Sequence, residues 1–241
     1  NAFHNMAMDE AVMEARAEGS VPPTLRLYGW RPRAVSIGYF QRLHDEVDIE
    51  RCRELGIDVV RRLTGGGAVF HDVEVTYSVV AHEASDSIPQ NLQGSYELIC
   101  AGIVEGLRNA GIEAGLSPAN DIVVGSEKIS GNAQTRRRGI LLQHGTILLD
   151  IDHETMFRIL KTSEEKTRKG TVCMSRGRMT SLKELNPDDC DFESISSQLV
   201  DGFEKALGVE LPREKPTMKE RERAETLSLT KYSSQEWNER R

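Results

Sequence analysis

The chain has little cysteine and no paired-cysteine spacing. Cys52, Cys100, Cys173 and Cys190 stand far apart. That excludes a disulfide framework or a zinc ribbon and points to a reducing, cytoplasmic setting. Long apolar runs are missing too: nothing approaches the roughly 18–20 residues of a membrane span, so no membrane partner is expected. There is no basic excess. Lys and Arg number 31 against 38 Asp and Glu, a net charge of −7, the opposite of the footprint a nucleic-acid binder needs. The Walker-type phosphate loop and the dinucleotide fingerprint are both absent. The sequence opens on Asn1 rather than Met, as a processed chain or a fragment would. What is present is 38% hydrophobic residues in 241 positions, enough for a sizeable core without staples.

Periodicity predicts a helix over 5–15 and strands over 24–30 and 34–40 around a turn at Arg31-Pro32. A short helix over 46–55 and strands over 57–62 and 73–81 follow. A loop is expected over 86–90. Ile99, Ile103 and Leu107 mark a helix over 95–110, stopped by Gly111. A hairpin around Gly125-Ser126 joins strands at 121–124 and 127–130, and another strand fills 140–149. Ile195, Leu199, Phe203 and Leu207 form a further helical stripe. The basic stretch 162–179 reads as a mobile loop, and the charged tail 212–241 carries Trp237 as an apolar anchor. The expected fold is α+β: a mixed, largely antiparallel sheet flanked by helices. The expected layout is a catalytic domain over 1–160, then a loop and helical extension over 161–241 packed on it.

The most unusual stretch is Arg61-Arg62-Leu63-Thr64-Gly65-Gly66-Gly67-Ala68-Val69-Phe70-His71-Asp72. Three successive glycines permit positive φ and close backbone approach to a ligand, and exposed amides there suit an anion. Arg61 and Arg62 are candidates to pair with that anion. A plain glycine hairpin with solvated arginines explains the same residues. Lys128 is flanked by small residues and can polarise a carbonyl as a fixed charge; a lysine facing water is the alternative. Asn120-Asp121 reads as a magnesium contact or an Asx turn. His144, in Gln143-His144-Gly145-Thr146, orients a substrate or is simply hydrogen-bonded in place. Arg136-Arg137-Arg138 is a basic spot for an acidic partner or a solvated loop. Cys173 has no base beside it in sequence and reads as an ordinary loop cysteine.

Together the glycine loop, Asn120-Asp121, Lys128-x-x-Gly131-Asn132-Ala133 and Gln143-His144-Gly145-Thr146 resemble the lipoate–protein ligase A family, over about residues 2–160. Asn5-Met6-Ala7-Met8-Asp9-Glu10-Ala11 is similar to the family's opening helix. The resemblance implies a biotin/lipoate-ligase-like fold and a two-step reaction. Lipoate and ATP with Mg2+ give lipoyl-AMP, and the lipoyl group passes to a lysine of a lipoyl-domain acceptor. It implies Lys128 as the catalytic residue. It implies Arg62, Gly65, Gly66, Gly67, Ala68, Val69, Phe70, Asn120, Asp121 and Lys128 around ATP and lipoyl-AMP. Gly38, Tyr39, His71, Gly131 and His144 line the lipoyl slot, and Asp121 places the metal. With no C-terminal accessory domain in view, a separate small accessory subunit is expected to assist adenylation.

Two segments depart from that pattern. Val73-Glu74-Val75-Thr76-Tyr77-Ser78 and Ala133-Gln134-Thr135-Arg136 look more like the cysteine-dependent octanoyltransferases of the same superfamily. Those move octanoyl from acyl carrier protein through a cysteine that precedes the lysine segment. Between Gly111 and Lys128 there is no cysteine. The sequence reading therefore favours the ATP-dependent ligase, with the octanoyltransferase second and a non-catalytic lipoyl-domain-binding protein as the alternative class.

Overall fold

Nine strands form two sheets in the computed structural model, which describes residues 1–84, 88–117, 120–161, 179–186 and 190–240. The strands are β1 (Thr24–Tyr28), β2 (Ala34–Ile37), β3 (Asp58–Arg61), β4 (Val69–His71), β5 (Glu74–His82), β6 (Gly115–Leu116), β7 (Asp121–Val124), β8 (Glu127–Arg137) and β9 (Ile140–Leu148). The large sheet has the order β1-β5-β9-β8-β7-β6, antiparallel throughout. The small sheet, β3-β2-β4, pairs β2 with β3 in parallel and with β4 antiparallel. The α+β expectation is met, and the mixing is confined to the small sheet.

The alternation of β5 and β9 decides what covers each face. Val75, Tyr77, Val79 and Ala81 of β5 and Leu141 and Ile147 of β9 point to one side. There they meet α4 (Leu92–Asn109) and α7 (Phe192–Leu207). Ile99, Ile103 and Leu107 are fully buried in that cluster, each worth roughly 1.5–3 kcal/mol of transfer free energy. The helices touch closely because Gly102 and Gly202 carry no side chain: a Cβ at Gly202 would stand 2.3 Å from the Gly102 carbonyl oxygen. On the other side, Val80, Ile140 and Leu142 meet Met8, Ala11 and Val12 of α1 (Ala2–Ala17), backed by Ala224 and Leu227 of α8 (Met218–Leu227). The helix starts are capped as their sequences suggest, by Asn1, Asn91 and Asp191. The short helices α2 (Leu43–Glu46), α3 (Ile49–Glu54) and α5 (His153–Ile159) enclose the small sheet's core of Val35, Ile37, Cys52 and Ile159. α6 is Leu182–Leu185.

The strands either side of Arg31-Pro32 are both present and lie in different sheets, β1 beside β5 and β2 in the small sheet. Two expectations shift. The expected helix over 46–55 forms only as α3; Val47 and Asp48, whose backbone is extended, separate it from α2, which meets the expected span at Glu46 alone. β8 runs on to Arg137 rather than ending near 130. Its second half is polar: Gln134 and Arg136 bond Ser95 of α4, while Arg137 donates to the Leu63 carbonyl. Of the expected basic loop, 162–178 lie outside the described residues, as do 85–87 of the loop near 86–90. Met179 forms a parallel bridge with Lys128. The tail closes with a π-turn (Ser228–Tyr232) and α9 (Gln235–Asn238), and Trp237 Nε1 donates to the Arg61 carbonyl at 2.9 Å.

Candidate functional site

The glycine loop connects β3 to β4 and lies over β8 and β9. A Cβ on Gly66 would come within 4.0 Å of Ala133 Cβ. Gly66 has φ +90, a conformation glycine adopts without strain. Gly38 permits the tightest approach: a Cβ there would stand 2.1 Å from the Gly66 carbonyl oxygen. Gly66 and Gly67 are exposed. Among the described residues no acceptor pairs with the amides of Gly65, Gly66, Gly67 or Ala68. Such amides are free to receive an oxyanion.

Arg62 lies beneath this loop, not above it. Nε donates to Thr64 Oγ1 and Nη1 to the Ser36 carbonyl and Oγ, each at 3.1 Å. Nη2 donates to the carbonyls of Gly65 and Gly67, both at 2.7 Å. All five guanidinium N–H groups are thus engaged by the protein. Arg62 is expected beside a ligand phosphate; here its guanidinium faces the carbonyl side of the loop. Burial pulls its pKa down to about 10. Arg61 is likewise internal, donating to the carbonyls of Gly38, Tyr39, Gln41, Trp237 and Asn238.

Two buried arms run outward from Arg62. Thr64 Oγ1 lies 2.6 Å from His144 Nε2, and His144 Nδ1 lies 3.1 Å from Asp9 Oδ2. Ser36 Oγ lies 2.8 Å from His71 Nε2, and His71 Nδ1 lies 2.8 Å from Glu74 Oε1. His71 is also stacked on Trp30, with centroids 3.9 Å apart. Both arms have the geometry of a hydroxyl–imidazole–carboxylate triad, yet Thr64 and Ser36 are essentially inaccessible, at 0% and 1%. Neither hydroxyl can reach a substrate. Burial lowers the His144 pKa, partly offset by Asp9. Burial raises that of Asp9, but Arg26 and His144 outweigh it and the carboxyl titrates below its usual range.

Lys128 stands at the other end of the site. Its Nζ is 2.8 Å from Asp121 Oδ1, and both side chains are part-exposed. A Cβ on Gly131 would collide with Nζ at 2.8 Å, so glycine is what lets the ammonium lie along the strand. Asn132 Nδ2 donates to the Asn120 carbonyl at 2.8 Å, and Asn120 has φ +64. Tyr77 donates to Asn132 Oδ1 and accepts from Gln143, both at 2.8 Å. Gly145 leaves room for this, since a Cβ would stand 2.2 Å from Asn132 Oδ1.

The structure brings Lys128, Asn120, Asp121 and Gly131 together at one end, and Gly38 and 65–68 at the other, with Ala133 of β8 between. Val69 and Phe70 belong to β4. His71 and His144, expected along an acyl slot, are buried beneath the loop, each between a carboxylate and a hydroxyl. Tyr39 is half-buried, its ring held between Arg137 and Arg240 at 4.4 and 4.5 Å. Asp121, the expected magnesium contact, is a lone carboxylate here, the kind of single ligand magnesium takes together with substrate phosphates. Its carboxylate pairs with the Lys128 ammonium, and among the described residues there is no group of three His, Cys, Asp or Glu side chains that could hold a metal by themselves. Cys100 is buried with its thiol pushed up to about 12, and Cys52 to about 11. Cys190 is half-buried against the large core, and Cys173 lies outside the described residues. Sequence reading missed Asp9, Ser36, Glu74 and Tyr77. A lone acid on the Met- and Ala-rich face of α1 was the available signal for Asp9, because an unpaired buried carboxylate is too costly to keep.

Residues 1–204 match the lipoyl protein ligase A/B catalytic domain. A Kyrpidia tusciae protein named octanoyltransferase LipM is 42% identical, over 100% of this chain and 96% of its own length. The octanoyltransferase LipM of Geobacillus kaustophilus is 37% identical, over 98% and 94%. Among solved structures, one of a bi-partite lipoate protein ligase and its E2 lipoyl domain from Thermoplasma acidophilum superposes with a TM-score of 0.84 and 31% identity, covering 99% of this chain and 92% of that one. Lipoate-protein ligase A bound with ATP gives 0.83 and 31%, covering 99% and 94%. The full-length relatives overturn the expectation of an ATP-dependent lipoate–protein ligase, since those proteins are octanoyltransferases. The expected need for ATP and Mg2+ goes with it.

Proposed function

The chain belongs to the lipoyl protein ligase A/B catalytic-domain family, and from that premise we propose that it is an octanoyltransferase. It takes an octanoyl group from the thioester of acyl carrier protein and joins it to a lysine of a lipoyl domain. The carrying observation is the Lys128 ammonium, held at 2.8 Å from Asp121 beside the small-residue strand of Gly131 and Ala133, across from loop amides that have no partner among the described residues.

The acceptor lysine, as the free amine, attacks the thioester carbonyl. A C–N bond forms, the C–S bond breaks, and the proton lost by nitrogen ends on the departing sulfur. Negative charge gathers on the carbonyl oxygen at the tetrahedral stage. Lys128 or the loop amides answer that charge without reorganising, and a single such donor is worth about 10²–10³ in rate. Cys100, which Gln143 ties to the Tyr77–Asn132 network, is buried with its thiol pushed up to about 12, so the reading takes the incoming amine as the nucleophile. The thioester is already activated, so the reading needs neither a nucleotide nor an accessory adenylation subunit. Free thiols at Cys52, Cys100 and Cys190 suit a reducing cytoplasm.

The test is incubation with octanoyl carrier protein and an apo lipoyl domain, without ATP, followed by intact mass of the acceptor. An octanoyl adduct on its lysine supports the reading. No adduct at any enzyme concentration, with the protein folded, rejects it.

A further inference from the structure

We propose that Arg62, held between the Thr64–His144–Asp9 and Ser36–His71–Glu74 arms, is a positioning device that fixes the peptide orientation of the 65–67 loop. The inference rests on the reading that this loop faces the reacting acyl group. It assigns to the buried polar chain a role that neither substrate contact nor core packing explains.

Proton inventory along the chain leads there. A guanidinium only donates. Thr64 Oγ1 accepts from Arg62 Nε, so its own proton goes to His144 Nε2, and the Nδ1–H of His144 goes to Asp9. Ser36 Oγ accepts from Arg62 Nη1, gives its proton to His71 Nε2, and the Nδ1–H of His71 goes to Glu74. These tautomers are set by the network. Each arm therefore presents to Arg62 a hydroxyl that can only accept. Together they fix the guanidinium plane and leave Nη2 a single task, the carbonyls of Gly65 and Gly67 at 2.7 Å.

That task has a consequence for the other side of the same peptides. Glycine peptides flip readily, because no Cβ selects one orientation. With both carbonyls drawn toward Arg62, the adjoining amides have no partner among the described residues, and Gly66 and Gly67 are exposed. A bare triple-glycine loop lacks this preorganisation, on which oxyanion stabilisation depends. Lysine at position 62 cannot replace the fork, since it offers a point charge with no fixed plane.

The test pairs kinetics with a readout independent of reaction. Thr64→Val removes one hydroxyl at nearly constant volume; Thr64→Ser keeps it; Ser36→Ala removes a single buried oxygen from the other arm. Octanoyl transfer is measured for each, with amide 15N–1H shifts of Gly65, Gly66 and Gly67. Thr64→Val and Ser36→Ala are expected to lower kcat by about 10-fold or more, at the low end of losing one oxyanion donor, with KM little changed and the glycine shifts displaced. Thr64→Ser restores both. Should Thr64→Val not fold, Ser36→Ala and Thr64→Ser carry the comparison. Unchanged kcat and shifts in the folded hydroxyl-free variants overturn the proposal, as does Thr64→Ser failing as badly as Thr64→Val. If the native enzyme transfers no octanoyl group, the functional reading fails, and the glycine shifts still decide the positioning claim.

Discussion

Gly38→Ala tests the loop's place in the reacting site. The new Cβ would stand 2.1 Å from the Gly66 carbonyl oxygen and 3.1 Å from the carbonyl carbons of Gly65 and Gly66. All three neighbours are backbone, so no side chain can swing aside. An ordinary C···O contact is about 3.3 Å, and the loop must retreat by about 1 Å. That strains the two carbonyl bonds to Arg62 and carries the free amides with it. Overpacking of this kind costs about 1–3 kcal/mol, while a 1 Å displacement at a reacting centre costs about 10²-fold in rate. Gly56→Ala is the control: Gly56 has φ +64 and nothing within 4 Å of the added Cβ. It costs about 1–2 kcal/mol through its left-handed backbone and leaves the rate alone. Transfer kinetics with chemical denaturation separate the two. Full kcat in a folded Gly38→Ala protein would refute the reasoning.

Gly202→Ala places a Cβ 2.3 Å from the Gly102 carbonyl and forces α4 and α7 apart; melts should show a loss of about 1–3 kcal/mol with kcat of the folded enzyme unchanged. His144 titrates below its usual value because it is buried, so the unfolded chain binds a proton that the folded chain does not. Stability therefore falls as pH drops below about 6.5, by at most about 1.4 kcal/mol per unit. Denaturation between pH 7 and 5.5 should show a smaller slope in His144→Gln, and equal slopes would contradict the assignment. Alanine at Cys52, Cys100, Cys173 or Cys190 in turn should leave octanoyl transfer within about twofold if the incoming amine is the nucleophile. Loss at one position, with an octanoyl adduct trapped there in the native enzyme, would show a two-step route instead.

Local pattern in the sequence goes far toward the fold. The stripe of Ile99, Ile103 and Leu107 and the alternation of Val75, Tyr77 and Val79 name their faces directly, because each element has one period and a dedicated side of the sheet. The pairing of β1 with β5 does not show, since Thr24 and Val80 are brought together by tertiary packing alone. Within the site, glycines that permit close approach were visible as unusual residues, but not which atom they admit. Arg62 looked like an anion binder from its neighbours, and only the positions of Ser36, Thr64 and two glycine carbonyls show its donors already engaged. Asp9 and His144 are 135 positions apart, and nothing local announces that they meet. The choice between ligase and transferase was half legible: residues 73–78 and 133–136 pointed to the transferase, but the missing cysteine before Lys128 turned the reading to the ligase, and both chemistries ask for a fixed cation and amide donors at an acyl carbonyl.

The most direct measurement is ATP-free octanoyl transfer to a lipoyl domain by the native chain and by Lys128→Ala, with circular dichroism confirming that both are folded. The account predicts transfer by the native chain and a loss of about 10²-fold or more in the variant. Equal rates, or native transfer that appears only when ATP is added, would contradict it.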